Sequence, residues 1–173
     1  MADSQIFTTL CAILRAQDWK FTRVDGREVV ELAFAARTGT IPIHAQAFPA
    51  IGALSLTAEA APAPPLTHRT KLAELMMRTN MQLTVGNFEM DWDVPRVFFR
   101  LVNVFDNQAP ADRVVVGMIH AAVAETDRII ALMSALATCP ASDLATFDIG
   151  RLLRREDIFP DEDAGHSTVT PPL

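Results

Sequence analysis

Three carboxylates stand two residues apart in "NFEMDWDVP": Glu89, Asp91 and Asp93. On an extended strand that spacing sends all three to one face, opposite Phe88, Met90 and Trp92. Carboxylate oxygens are hard ligands, so the chemistry such a trio offers is capture of a divalent cation. A charged row on a half-buried strand also has a plainer use, to solvate one sheet face and discourage pairing with another chain, and that is the reading adopted. His120 lies two helical turns before Asp127 on the less apolar side of a long helix. A carboxylate there can orient an imidazole for acid–base work only if both line a cleft, and ordering of the surface is the simpler account. His44 shares the face of Pro42 and Gln46, away from Ile41 and Ile43. With no second histidine expected beside it, it is read as solvent-facing. Trp19 and Trp92 could stack on a ligand, yet aromatics at strand period usually serve a core or an interface. Arg151, Arg154 and Arg155 gather beside Glu156 and Asp157. They could tether the C-terminal segment to the acidic strand face through exposed pairs that contribute below about 1 kcal/mol. There is no glycine-rich phosphate loop, nucleophile elbow or paired-histidine motif, so no catalytic, cofactor-binding or metal residue is assigned and no cofactor is expected.

The chain that must position these groups has 173 residues, enough for one domain with a proper core and a tail. Its 21 acids against 15 bases give a net charge of −6, which argues against nucleic acid or anionic lipid as a partner. The bases are mostly arginine and alanine is abundant, the composition of a GC-rich bacterial genome. Cys11 and Cys139 have no metal-ligand spacing and make no disulfide framework, and the first twenty residues do not read as a signal peptide. A cytoplasmic location is therefore expected.

Ile6, Phe7, Leu10, Ile13 and Leu14 form a helical stripe after a cap at Asp3 or Ser4. Four strands follow, around Trp19–Thr22, Val30–Phe34, Ile41–Phe48 and Ala53–Thr57, the first two joined at Asp25-Gly26. The prolines of "AEAAPAPPL" forbid a regular helix and make a crossover. A second helix is expected over Thr67–Leu83, with Leu72, Leu75, Met76 and Leu83 on its buried face, then a hairpin of two strands from Phe88 to Asp93 and from Val97 to Phe105. A third helix from Asp112 carries Val115, Ile119, Ala122, Ile129, Ile130 and Met133 to about Thr138. The order α-β-β-β-β-α-β-β-α makes an α+β two-layer sandwich, an antiparallel sheet with helices on one face. The domain is placed at residues 1–140. Residues 141–173 are read as a polar C-terminal tail with one short helix around Leu144–Arg155, disordered from Asp161 on.

The segment "KLAELMMRTNMQLTVGNFEMDWDVPRVFFRLVN", followed by a long alanine-rich helix, resembles the YbjN-domain proteins, a family associated with sensory or regulatory roles in bacteria, and behind them the type III secretion chaperone fold. Asn80, Gly86, Asn87, Phe88 and Glu89 stand at matching places, and the resemblance covers roughly residues 4–138. It implies a non-enzymatic interaction module, a chaperone-like or regulatory adaptor for another protein or peptide segment. The alternative is a small-ligand sensor or enzyme using a pocket between helix and sheet, near Trp92, His44 or His120. A homodimer is also expected. Ala73, Met77 and Met81 form an apolar patch opposite the buried face of the second helix, and a helix apolar on two sides must bury both.

Overall fold

The computed structural model describes residues 3–94, 96–105 and 108–154. Helix α1 (Gln5–Ala16) begins where Ser4 Oγ accepts from the Phe7 N–H at 3.2 Å, and Ser4 is itself held by Glu28, to which its N–H and hydroxyl donate at 2.6 Å each. Strands β1 (Thr22–Arg23), β2 (Val29–Ala36), β3 (Gly39–Phe48) and β4 (Ala53–Ala60) precede α2 (Arg69–Asn80). Strands β5 (Asn87–Asp91) and β6 (Arg96–Val104) then lead to α3 (Asp112–Ala137) and a short α4 (Ile149–Leu153). The described strands form one antiparallel sheet in the order β1-β2-β3-β4-β6-β5. The α+β architecture, an open six-stranded sheet with helices packed on it, is the one the hydrophobic patterning predicts.

One sheet face is dry because alternate residues of four strands fall in register: Leu32 opposite Ile43, Ile43 opposite Ala58, and Ala58 opposite Phe99. All four are buried, and Ile119, Ile129 and Met133 of α3 close over this layer with no exposed surface. The opposite face carries a polar row in which Glu31 faces His44, His44 faces Thr57, and Thr57 faces Arg100. Gly86 immediately precedes β5 in the left-handed region, at φ 71°. A Cβ there would overlap the Phe99 ring and lie 2.9 Å from the Arg100 carbonyl oxygen, so only glycine lets the chain enter the sheet here.

Some boundaries differ from the sequence reading. Trp19 and Phe21 precede the two-residue β1, and Trp19 instead packs edge-on to Phe34, with ring centroids 5.2 Å apart. Helix α2 is shorter than Thr67–Leu83, because Leu66–His68 form a 3-10 turn and the chain leaves the helix after Asn80. Residues 141–146 form a further 3-10 segment, and Ile149 and Leu152 of α4 are buried in the same apolar cluster as the domain core. Arg155 with its acidic neighbours, and the segment from Asp161, lie outside the described residues. Among the described residues no helix is long and apolar enough to cross a membrane.

Candidate functional site

The open face of the sheet holds a trough of about 670 Å3. It is walled by Phe21 on one side and Phe98 on the other, with Pro42, His44 and Thr57 on its floor. Strand alternation and register bring these groups together. His44 and Thr57 are cross-strand partners, and Phe98 lies opposite Glu59.

The charges of this face are largely matched to each other. The Arg96 fork donates to Glu59 from Nε at 3.0 Å and from Nη2 at 3.1 Å, and its guanidinium lies 4.8 Å from the centre of the Phe98 ring. Glu59, by hydrogen bond and then by charge, raises the pKa of Arg96. Arg100 Nε donates to both oxygens of Glu89 at 2.9 Å, and its Nη1 reaches Thr57 Oγ1 at 3.2 Å. His44 Nε2 stands 3.7 Å from Glu31 Oε1, both side chains more than half exposed. Such exposed pairs organise a surface and contribute little stability. None of these contacts has the base-to-nucleophile geometry that activates a hydroxyl.

The predicted acidic row does not converge. Strand β5 ends at Asp91, so Asp93 sits in the turn rather than beside Glu89 on a strand. Asp91 Oδ1 accepts from the N–H groups of Asp93 and Val94 at 3.0 and 3.1 Å. These two bonds, that of Val94 first, hold its carboxyl below the usual carboxylate range. Among the described residues no three His, Cys, Asp or Glu side chains are placed to hold a metal ion. His120 and Asp127 are not partners either. Asp127 accepts from the Thr38 N–H at 2.7 Å and from the Thr38 hydroxyl, with Arg37 Nε at 3.6 Å, so it clamps the β2–β3 turn. The His120 ring lies 5.8 Å from that of Trp19. Trp92 is half exposed under the Arg69 guanidinium, 4.9 Å from its ring centre. Of the three residues named for a helix–sheet pocket, His44 therefore lines the trough on the opposite face of the sheet, and Trp92 and His120 do not line it.

On α2, Leu72, Leu75, Met76 and Thr79 are buried and Ala73 is half-buried, whereas Met77 is 67% exposed and Met81, just past the helix end, 87%. Neither α3 nor the 141–154 segment covers the two methionines. Two polar devices escaped the sequence reading. His68, buried, joins Thr67 Oγ1 at 3.0 Å and the Cys139 carbonyl oxygen at 2.9 Å, tying the start of α2 to the end of α3. Asn80 places its carboxamide against the Phe88 backbone, its Nδ2 donating to the carbonyl oxygen at 3.0 Å and its Oδ1 accepting from the N–H at 2.7 Å. The available signal for the second was an asparagine at the helix end just before the strand-opening glycine.

No protein-family model matches the chain, and no curated protein sequence matches it significantly. Among solved structures, the crystal structure of YbjN from E. coli, described there as a proposed transcription regulator, is similar. The match covers 81% of this chain and 92% of that one, with a TM-score of 0.52 and 11% sequence identity. At that identity the likeness is one of fold: the chain has a YbjN-like fold.

Proposed function

We propose that this protein is a non-enzymatic interaction module, a chaperone-like or regulatory adaptor of the bacterial cytoplasm. The observation that carries this reading is the distribution of surface: the groups that could do chemistry are engaged in turns and ion pairs, while Met77 and Met81 stand bare at the C-terminal end of α2. The YbjN-like fold supports a regulatory or adaptor role by analogy. The net charge of −6 favours protein over nucleic acid or anionic membrane as the partner class. Free thiols at Cys11 and Cys139 suit a reducing compartment, and burial pushes the Cys11 thiol up, away from reactivity. Recovery of the same protein partner from the native host in repeated pull-downs is the expected result; consistent recovery of none would defeat the adaptor reading.

Within this reading the Ala73, Met77 and Met81 patch receives a second copy of the chain. Methionine suits a self-complementary surface because its unbranched thioether fits irregular gaps. Light scattering with size exclusion should give a dimer of the 18.9 kDa chain, and Met77→Glu with Met81→Glu should give the monomer. A wild-type monomer at micromolar concentration would refute the dimer, and a dimer that survives both substitutions would refute its location. The trough of about 670 Å3 favours one rival reading, a small-ligand sensor, since ligand sites span roughly 300–1,000 Å3. A thermal-shift screen separates the two, because a ligand at a hundred times its Kd adds about 2.7 kcal/mol of stability.

A further inference from the structure

Strand β5 pairs with β6 only as far as Asn87 opposite Arg100, whereas β4 pairs with β6 on to Ala53 opposite Val104. On the side away from β4, residues 101–104 therefore have no strand beside them among the described residues. The register fixes which main-chain groups face outward. The N–H and carbonyl of Phe88 turn away from β6 to Asn80, so Phe88 and Phe99 form a non-hydrogen-bonded pair and Asn87 and Arg100 a bonded one. By alternation Val102 and Val104, like Arg100, turn their N–H and carbonyl groups outward.

This edge is treated unlike the others. Asn80 closes β5 at Phe88, Glu89 and Asp91 add charge there, and β1 is two residues long, all ways of discouraging strand addition. Leu101–Val104 carries no charge, and Val102 and Val104 are 51% and 61% exposed. Beside it lies a groove of about 570 Å3, floored by Leu101 and walled by Val85 and by Val114, Gly117, Met118 and Ala121 of α3. Gly117 sits inside the long helix, where glycine is unfavourable relative to alanine, and a Cβ there would meet nothing within 4 Å. No packing among the described residues asks for that missing side chain. An incoming backbone running between β6 and α3 would.

We propose that the β6 edge and this groove bind an uncharged, extended segment of a partner polypeptide, about four residues long, as an added strand with an apolar side chain seated against Gly117 and Met118. The proposal rests on the interaction reading above and names its partner class. Area decides the occupant: an interface that holds a dimer draws about 20–30 residues from each side, while nine residues line this groove. That suits one strand and falls short of a second globular copy. The absence of charged lining selects uncharged residues, and main-chain bonds supply affinity as they do wherever a peptide extends a sheet.

The test uses the full chain and a capped six-residue peptide alternating valine with threonine, with amide exchange followed residue by residue. Saturating peptide should slow exchange at Val102 and Val104 by roughly tenfold. The protection should vanish in Gly117→Leu, which fills the groove, and in Val102→Pro, which removes an outward donor where an edge tolerates proline. Val102→Pro should keep the wild-type melting temperature, Gly117→Leu should keep or raise it because leucine is the better helix former, and Met77→Glu should keep the peptide protection. Absence of protection at both valines, or equal protection in folded Gly117→Leu, overturns the proposal. Its failure is distinct from that of the adaptor reading: a host partner recovered equally by wild type and Gly117→Leu sinks the edge alone. A protected edge with no recovered partner sinks the adaptor reading alone.

Discussion

Asn80→Ala is the sharpest probe of how the sheet is finished. The carboxamide makes two part-buried bonds to one residue, at 2.7 and 3.0 Å, and Phe88 beneath it is 4% exposed. Two such bonds contribute about 1 kcal/mol each, so their loss costs about 2 kcal/mol. Two effects reduce this. Alanine is the better helix former by up to about 0.7 kcal/mol, and water can reach an edge strand and satisfy part of what the carboxamide leaves. A net loss of about 1–2 kcal/mol follows, which for a chain of this size lowers Tm by roughly 2–8 °C. Asn80→Asp should be at least as damaging, because it keeps the acceptor but turns an oxygen toward the Phe88 carbonyl. Urea denaturation gives the free energy and amide exchange gives the site: Phe88 should exchange faster in both variants. An alanine variant within about 0.3 kcal/mol of wild type, or unchanged exchange at Phe88, would refute the idea that this side chain closes the edge.

Gly86→Ala should cost about 3 kcal/mol or more by chemical denaturation, since the new methyl group meets both a left-handed φ of 71° and the Phe99 ring; a loss below about 1 kcal/mol would mean the β5 entry relaxes freely. Asp91 titrates below its ordinary value when folded, so its contribution to stability is complete above the unfolded pKa near 4 and is lost as the pH falls through the lower folded value. Asp91→Asn keeps an acceptor to Val94 but not the charge, so it should be slightly less stable than wild type at pH 7 and converge on it as the pH falls through the folded value, with a flatter acid limb in a pH series of urea midpoints; an unchanged acid limb would show that the turn does not depend on this carboxylate.

Local periodicity made most of the architecture legible. The α3 stripe from Val115 to Met133, the alternation of Ile41 with Ile43 and the Asp25-Gly26 turn depend on neighbours within a few residues, where chain geometry alone assigns faces. The site was harder because alternation continues in the sequence after the strand has stopped: Trp92 and Asp93 keep the period of β5 but belong to its turn, for which Asp91 is the anchor. Long-range partners left no local trace. Asp127 reaches Thr38 across 89 positions and His68 reaches Cys139 across 71, and the same side chains read alone suggested surface ordering or nothing. Arg96 and Arg100 share the face of Glu89 across the hairpin, but matching Arg96 to Glu59 required β4 to lie beside β6, which only the crossover through α2 decides.

The closed edge and the open one have a common origin in the link from α2 to β5. Asn80 ends the helix against Phe88, and Gly86 is pinned to Phe99 and the Arg100 carbonyl, so the returning chain meets β6 at Arg100 and nowhere nearer its end. A link that let β5 begin earlier would pair Val102 and Val104 and fill the groove beside Gly117. A link that met β6 earlier along its run would lengthen the bare edge and expose Phe99. The position of one glycine therefore fixes how much of β6 is left unpaired, and it leaves bare the uncharged end of the strand while covering the end that carries Arg96 and Arg100. Fold stability and the opening for a partner strand are set by the same six-residue connection. Substitutions that relax the connection should alter both together, whereas Gly117→Leu should remove binding without destabilising the fold.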